Sequence, residues 1–178
     1  MNLKSFFTSS LLLIAATTVS TVYASDSYVG ANYSLLTYAE SGFDDAKLNT
    51  VNLRIGTFFD RSFSGEIRLG TGLGDDSINY LGTDIDIEID HFIGAYLRSG
   101  VLTTGNLYPY LVVGVTQGEV TAKALGANVS ESETDLSFGI GIDYTIKNTV
   151  TVNAEYINYI SKGLVDISGF TLGIAKRF

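Results

Sequence analysis

The sequence predicts an all-β protein, folded as an eight-stranded antiparallel up-and-down transmembrane β-barrel. Three observations support this fold class. Apolar and polar residues alternate with a period of two in eight separate segments. The composition is typical of strands, with 19 Gly, 11 Tyr and 10 Phe against one Pro. The connections between the segments alternate between short and long, as they do in membrane barrels.

The N-terminal segment is predicted to be an export signal. Lys4 precedes an apolar stretch centred on residues 11–16, and Val22, Tyr23 and Ala24 follow it. We therefore expect a signal peptide over residues 1–24 and one barrel domain over residues 25–178. The alternative is a membrane helix, which the Ser and Thr residues of this stretch disfavour because a span needs about 20 apolar residues. Cleavage would remove one basic residue and no acidic residue, so the net charge would change from −8 to −9.

Eight predicted strands follow, each with one aliphatic face. In chain order they cover residues 28–35, 51–57, 66–73, 84–98, 110–115, 136–143, 150–157 and 170–177. The alternation is longest in 84–98, where isoleucines share one face while acidic residues and Arg98 share the other. In 110–115 both faces are apolar, so the alternation defines that strand least.

The polar face of these strands is predicted to look inward. It is rich in glycine, which forms strands poorly on an open surface but suits a narrow lumen, where small residues lie beside large ones. We therefore expect the aliphatic face to contact lipid. Aromatic residues near the short connections support this orientation, because such rings favour the membrane interface. These predicted interface aromatics are Phe59, Phe63, Tyr108, Tyr144 and Phe178.

The connections predict two different ends of the barrel. Those at 60–62 and 145–148 are tight and 100–106 is moderate in length, whereas 38–48, 74–83, 119–134 and 159–168 are predicted to be longer polar loops. The long loops are acidic, which indicates attraction of divalent cations or of a basic protein. The alternative is a solvated exterior with no specific ligand.

Charged residues of the polar face are expected to pair in the lumen, because unpaired charges in a narrow interior are costly. The predicted lumenal charge network consists of Arg54, Glu66, Arg68, Asp86, Glu88, Asp90, Arg98, Asp143, Glu155 and Arg177. The acidic run over 84–90 is not expected to bind a metal ion. Carboxylates on one strand face lie about 6.8 Å apart, and Ile89 stands where a calcium-binding loop needs Gly.

Several function classes are excluded. The chain has no Cys, which removes thiol catalysis and Cys-ligated metals, and its negative charge would repel nucleic acid. A single histidine, His91, leaves little for His-dependent catalysis. The segment from Gly70 to Gly74 lacks the Lys of a phosphate-binding loop and precedes no predicted helix. We therefore expect no catalytic residues, metal or cofactor.

Four segments carry a resemblance to a known family: S-G-F-T-L-G-I-A-K-R-F at the C-terminus, D-H-F-I-G-A-Y-L-R, L-Y-P-Y-L-V-V-G-V and V-N-A-E-Y-I-N-Y. Through them residues 25–178 resemble the small eight-stranded outer-membrane barrels of Gram-negative bacteria, the group of OmpX, the opacity proteins and the OmpA barrel. The closing segment is similar to the C-terminal signal that the family's insertion machinery recognises, here Phe170, Leu172, Ile174 and Phe178. Lys176 departs from that pattern, in which an apolar or aromatic residue is usual, although a Lys near the interface can snorkel.

The resemblance implies a monomer in the outer membrane, with outer-membrane lipid, lipopolysaccharide and the insertion machinery as partners. It also implies a non-enzymatic surface protein that contributes to envelope integrity, adhesion or defence, with a lumen filled by side chains. Two alternatives stay open. One is a narrow porin-like channel or carrier for small solutes, and the other is a soluble periplasmic lipid-binding barrel.

Overall fold

The computed structural model describes residues 26–40, 45–80, 83–101, 103, 105–124, 127–147, 149–163 and 165–178. The predicted signal peptide lies outside these residues. The described chain forms nine strands: β1 (Ser27–Glu40), β2 (Ala46–Phe58), β3 (Phe63–Gly72), β4 (Asp75–Tyr80), β5 (Thr83–Gly100), β6 (Leu107–Ala124), β7 (Ala127–Lys147), β8 (Val150–Lys162) and β9 (Val165–Arg177). In this part of the chain no helix is long and apolar enough to cross a membrane.

Eight of the strands close into an antiparallel barrel, which confirms the predicted fold class. Neighbours in sequence pair in turn, β1 pairs with β9, and β3 pairs with β5 to complete the cylinder. The ninth strand, β4, pairs only with the first half of β5. A break separates β3 from β4 at Gly74, whose φ of +114° lies in the left-handed region that favours glycine.

The two ends of the barrel differ, but less than the sequence predicts. We call the end with Ser27, Arg177 and the short connections the turn end, and the opposite end the loop end. The prediction of four long loops at the loop end is wrong for much of their length, because β4 occupies most of 74–83 and paired strands occupy most of 119–134 and 159–168. Their polar residues lie on strands that continue past the lipid zone into water, where an apolar outer face is no longer required.

A belt of aliphatic side chains surrounds the outside of the barrel, as predicted. On the outer face of β6, Leu107, Leu111, Val113 and Val115 are exposed, and Gln117 follows them towards the loop end. From Leu107 to Val115 the belt covers about 27 Å along the strand, or about 21 Å along the barrel axis at a tilt of about 40°. That height is close to the apolar band of about 25 Å that membrane barrels present to lipid.

The interior has two zones. The half near the turn end is lined by buried polar and charged side chains together with tyrosines, among them Arg54, Arg68, Arg98 and Glu155. The half near the loop end is filled by an apolar core that includes Leu36, Leu48, Ile87, Ile89, Phe92, Ile157, Ile160 and Ile167. The polarity of the two faces therefore reverses along the barrel. Near the turn end the outer face is apolar, where lipid surrounds it, and the inner face is polar, whereas near the loop end the outer face is polar, where water surrounds it, and the inner face is apolar.

Above the belt the wall divides into two sheets that pack over this apolar core. One contains β4, β5, β6 and β7, and the other contains β8, β9, β1 and β2. The ladder between β7 and β8 ends at Phe138 and Asn158, and none joins β2 to β4 among the described residues. We call these two gaps, between β7 and β8 and between β2 and β4, the seams, and side chains bridge both of them. At the first seam Asp135 accepts a hydrogen bond from the Ser161 backbone N–H at 2.8 Å. At the other seam Asp76 accepts one from the Lys47 N–H at 2.6 Å.

Candidate functional site

The candidate site is the charged interior near the turn end. Strand alternation directs Arg54 on β2, Glu66 and Arg68 on β3, and Arg98 on β5 inward, and Asp143 on β7 and Glu155 on β8 face them. All six side chains are buried. They come from five strands, so the closed barrel is what brings them together.

Arg68 lies at the centre of this group with a carboxylate on each side. Its Nη1 and Nη2 donate to the two carboxylate oxygens of Glu155 at 2.5 and 2.9 Å, and its Nε donates to Glu66 Oε1 at 2.5 Å. The guanidinium also lies over the ring of Tyr96, 4.6 Å from its centroid. Such a bidentate, charge-assisted arrangement ties β3 to β8 across the interior.

Arg98 forms the second centre, nearer the turn end. Its Nη2 donates to Asp143 Oδ2 at 2.7 Å, and its Nη1 donates to the Tyr28 hydroxyl at 3.1 Å. The Tyr28 hydroxyl in turn donates to Glu66 Oε2 at 2.6 Å, which links the two centres. The Arg98 guanidinium lies 3.7 Å from the centroid of the Tyr110 ring.

These side chains close the lumen. The cavity in the apolar zone, lined by residues such as Leu36, Phe92 and Tyr159, has a volume of about 20 Å³. A second cavity near the turn end has a volume of about 10 Å³. Each has room for about one water molecule, so neither of these two cavities is a continuous aqueous path.

Asp86 and Glu88 do not belong to the lumen, and their assignment to the charge network is wrong. Ile89 pairs with Val120 and His91 pairs with Glu119, so Asp90 is an extra, bulged residue. The bulge reverses the faces of β5 towards the loop end, which turns the isoleucines inward and the acidic residues outward. Asp90 is likewise outside the lumen, because its carboxylate accepts a hydrogen bond at 2.6 Å from the buried hydroxyl of Thr121, which pairs with the outward Glu88.

The outward acidic residues pair with lysines at the loop end. Glu88 accepts a hydrogen bond from Lys123, which raises the pKa of that ammonium group. Lys162 donates to Glu133 at 2.6 Å, and this bond raises the pKa of Lys162 in the same way. Both pairs are exposed to solvent, so each contributes little to stability. Within the described residues, no group of three or more His, Asp or Glu side chains is arranged to hold a metal ion.

Arg177 and the predicted interface aromatics lie near the turn end. The Arg177 side chain is half-buried over the ring of Phe58, 4.6 Å from its centroid. Four of the five predicted aromatics, Phe59, Phe63, Tyr144 and Phe178, are exposed on the outside. The placement of Tyr108 at the interface is wrong, because the even-numbered residues of β6 face inward. Its buried ring stacks on Tyr110, and its hydroxyl donates to the Ser62 carbonyl at 2.7 Å.

Interior tyrosines are the functional residues that the sequence analysis missed. Tyr28, Tyr96 and Tyr110 contact the arginines, and each covers an inward-facing glycine. A Cβ at Gly56 would lie 2.3 Å from the Tyr28 ring, so the glycine provides the space that the ring occupies. Tyrosines two residues from glycines on the polar face were the available signal, as in Gly94 and Tyr96 on β5.

The C-terminal residues Phe170, Leu172, Ile174 and Phe178 lie on the outer face of β9 and at its end, and all four are exposed. This is where an insertion factor could contact them, and their role as an insertion signal stays a prediction. His91 is exposed on the outer face of β5, beyond the aliphatic belt.

Comparisons with known proteins place this geometry among membrane barrels. A model of the family described as outer membrane protein beta-barrel domain matches residues 7–178. The attachment invasion locus protein Ail of Yersinia pestis has a TM-score of 0.67 at 17% identity, covering 86% of this chain and 99% of that one. Neisserial surface protein A has a TM-score of 0.65 at 19% identity, covering 85% of this chain and 97% of that one. OprG from Pseudomonas aeruginosa has a TM-score of 0.54 at 13% identity, covering 87% of this chain and 96% of that one.

A further structure shows Ail in complex with the heparin analogue sucrose octasulfate. It has a TM-score of 0.65 at 16% identity, covering 86% of this chain and 99% of that one. All of these structures are less than 25% identical to the chain, so they show its fold. No curated protein matches the chain by sequence.

Proposed function

The chain belongs to the outer membrane protein beta-barrel domain family, and we propose that it is a non-enzymatic surface protein with a closed lumen, serving envelope integrity, adhesion or defence. The observation that carries this proposal is the interior itself. Buried ion pairs fill one half and an apolar core fills the other. What the protein offers to its surroundings is therefore its outer surface, with the two sheets that extend beyond the belt.

Planar-bilayer recording tests the closed lumen. We expect the purified wild-type barrel to give no steady, discrete openings, because Arg68 and its two carboxylates block the interior with bonds of 2.5–2.9 Å. A triple variant, Arg68→Ala with Glu66→Ala and Glu155→Ala, empties only the charged half of the interior, so it should also fail to conduct, because the apolar core still fills the other half. Discrete wild-type openings would instead support the alternative of a narrow channel or carrier for small solutes.

The soluble lipid-binding barrel has the least support. That function needs an aliphatic interior with room for an acyl chain, and the apolar interior cavity has a volume of only about 20 Å³. The exposed aliphatic side chains also lie on the outside of the barrel, where outer-membrane lipid surrounds them.

The loop end supports a basic partner, as part of the same proposal. The described residues beyond the belt include twelve carboxylate side chains and three lysines. The acidic ones are Glu40, Asp45, Asp75, Asp76, Asp86, Glu88, Asp90, Glu119, Glu131, Glu133, Asp135 and Asp166, and the lysines are Lys47, Lys123 and Lys162. Such a surface repels polyanions, in contrast to the heparin analogue bound by Ail.

A retention assay tests this charge preference. The protein, immobilised in micelles, should retain polylysine at low salt, release it as salt screens the attraction, and fail to retain heparin. The double variant Asp75→Lys with Glu119→Lys should lower polylysine retention. Asp26→Lys with Asp60→Lys at the turn end makes the same change in net charge, is the matched control, and should leave retention unchanged. Retention of heparin by the wild type, or equal effects of the two sets of variants, would contradict the proposal.

A further inference from the structure

A small chamber inside the barrel, close to the turn end, is lined by an excess of cationic groups. Its walls include Tyr28, Arg54, Phe58, Arg98, Asp143 and Arg177. The chamber has a volume of about 10 Å³. Arg177, which is half-buried, stands between it and the turn end.

The charges that line the chamber do not balance, although the buried interior as a whole has three arginines and three carboxylates. In the lining, Arg54, Arg98 and the half-buried Arg177 face the single carboxylate of Asp143. Arg68 takes both oxygens of Glu155 and one oxygen of Glu66, and Arg98 takes one oxygen of Asp143. Arg54 is left with a distant contact to Glu66, and the half-buried Arg177 has no ion pair among the described residues.

Hydrogen bonding shows the same excess. Arg54 is only 1% exposed, and its one side-chain hydrogen bond runs from Nη2 to the Asn153 amide oxygen at 2.9 Å. Its Nε and Nη1 have no hydrogen-bond partner among the described residues, and Nη1 lies 3.6 Å from Glu66 Oε2. The Nε of Arg98 is also without a partner there. Buried donors of this kind are costly unless something accepts from them.

We infer that the chamber binds one small monovalent anion of the size of a halide, held by Arg54 and Arg177. A single negative charge would offset the three guanidinium groups of the lining and accept from the buried Arg54 donors. The volume is too small for a phosphate, a sulfate or an organic acid. Water could accept from the same donors, so water in the chamber is the competing outcome that the test below separates from an anion. The free Oδ1 of Asp143 repels an anion, so the anion lies on the Arg54 side of the chamber.

Chloride itself is the probe for the test. Urea unfolding of the purified protein in micelles, at constant ionic strength with gluconate replaced stepwise by chloride, should show a midpoint that rises with chloride concentration. Arg177→Gln should weaken the apparent chloride affinity about ten-fold, which corresponds to about 1.4 kcal/mol. Asp143→Asn should strengthen it, because the repelling charge is gone. Arg61→Gln, an exposed arginine at the same end, is the control and should behave as the wild type.

Opposite effects of the two chamber variants distinguish a bound anion from general stabilisation by salt. Crystals grown in bromide should in addition show an anomalous peak beside the Arg54 guanidinium. A wild-type midpoint that ignores chloride, equal responses of the Arg177 and Asp143 variants, or an ordered water only in the chamber would each overturn the inference.

Discussion

Replacing Arg68 with Met is expected to destabilise the folded barrel by about 3–5 kcal/mol, the cost typical of breaking a buried ion pair from one side. Arg68 is fully buried and gives Glu155 two hydrogen bonds, of 2.5 and 2.9 Å. Without it, the Tyr110 hydroxyl, at 3.0 Å, is the one donor that Glu155 keeps among the described residues. Glu66 still has Tyr28 at 2.6 Å and Arg98 at 3.5 Å, so most of the cost should fall on Glu155. Urea unfolding in micelles, followed by the heat-modifiable mobility of the barrel, measures the loss.

A second substitution identifies the cause. Glu155→Gln added to Arg68→Met removes the orphaned charge and should recover a large part of the lost stability. Lys123→Met, which breaks the exposed pair with Glu88, is the matched control and should change stability little. If the double variant were as unstable as Arg68→Met alone, lost packing rather than an unpaired carboxylate would explain the effect.

Leu111→Arg is expected to cost about 2–4 kcal/mol, because it places a charge in the lipid-facing belt. Leu111 is 63% exposed on the outer face of β6 and contacts no core that an arginine would disturb. On the same face of the same strand, Gln117 lies just beyond the belt, and Gln117→Arg should cost about 0–1 kcal/mol. Unfolding from lipid vesicles gives both values.

The comparison of Leu111 and Gln117 tests the inside-out arrangement directly. Both side chains are exposed in the isolated chain, so a barrel surrounded by water would tolerate the two arginines equally well. Equal and small losses for both variants would show that lipid does not contact the belt at Leu111.

Much of the fold could be predicted from the sequence because alternation directly reports which face is which. Seven of the eight predicted segments fall within barrel strands, and the other, 66–73, extends one residue past the end of β3. The loop end could not be predicted equally well. A strand with water on its outer face has polar residues there, so the alternation of polar and apolar residues that marks a strand is missing. The upper part of β7, with Ser130, Glu131, Ser132 and Glu133, has the composition of a loop although it pairs with β6.

The bulge at Asp90 shows a stricter limit of the method. From Ile85 to Leu97 the odd-numbered residues are aliphatic except for His91, which predicts one lipid-facing stripe. The bulge divides that stripe, so Ile87 fills the interior while Ile93 faces outward. Nothing local in the residues marks the inserted position, because it is defined only by pairing with β6.

The interior charges could be predicted where alternation was uninterrupted, and their partners could not. Arg54, Arg68, Arg98, Asp143 and Glu155 are inward because of their position along a strand. Which carboxylate meets which guanidinium depends on strand order and register around the closed cylinder. The tyrosine contacts and the unbalanced chamber depend on those same distances, so they required the structure.

The two seams above the belt determine how the molecule can deform. Within the belt every strand is hydrogen-bonded to both of its neighbours, so this part of the barrel resists opening as one cooperative unit. Beyond the belt, the seams are bridged by the hydrogen bonds that Asp76 and Asp135 accept, and these bonds can break while every β-ladder stays intact. The two sheets beyond the belt can therefore separate without the loss of any strand pairing, whereas opening the belt would require breaking a β-ladder.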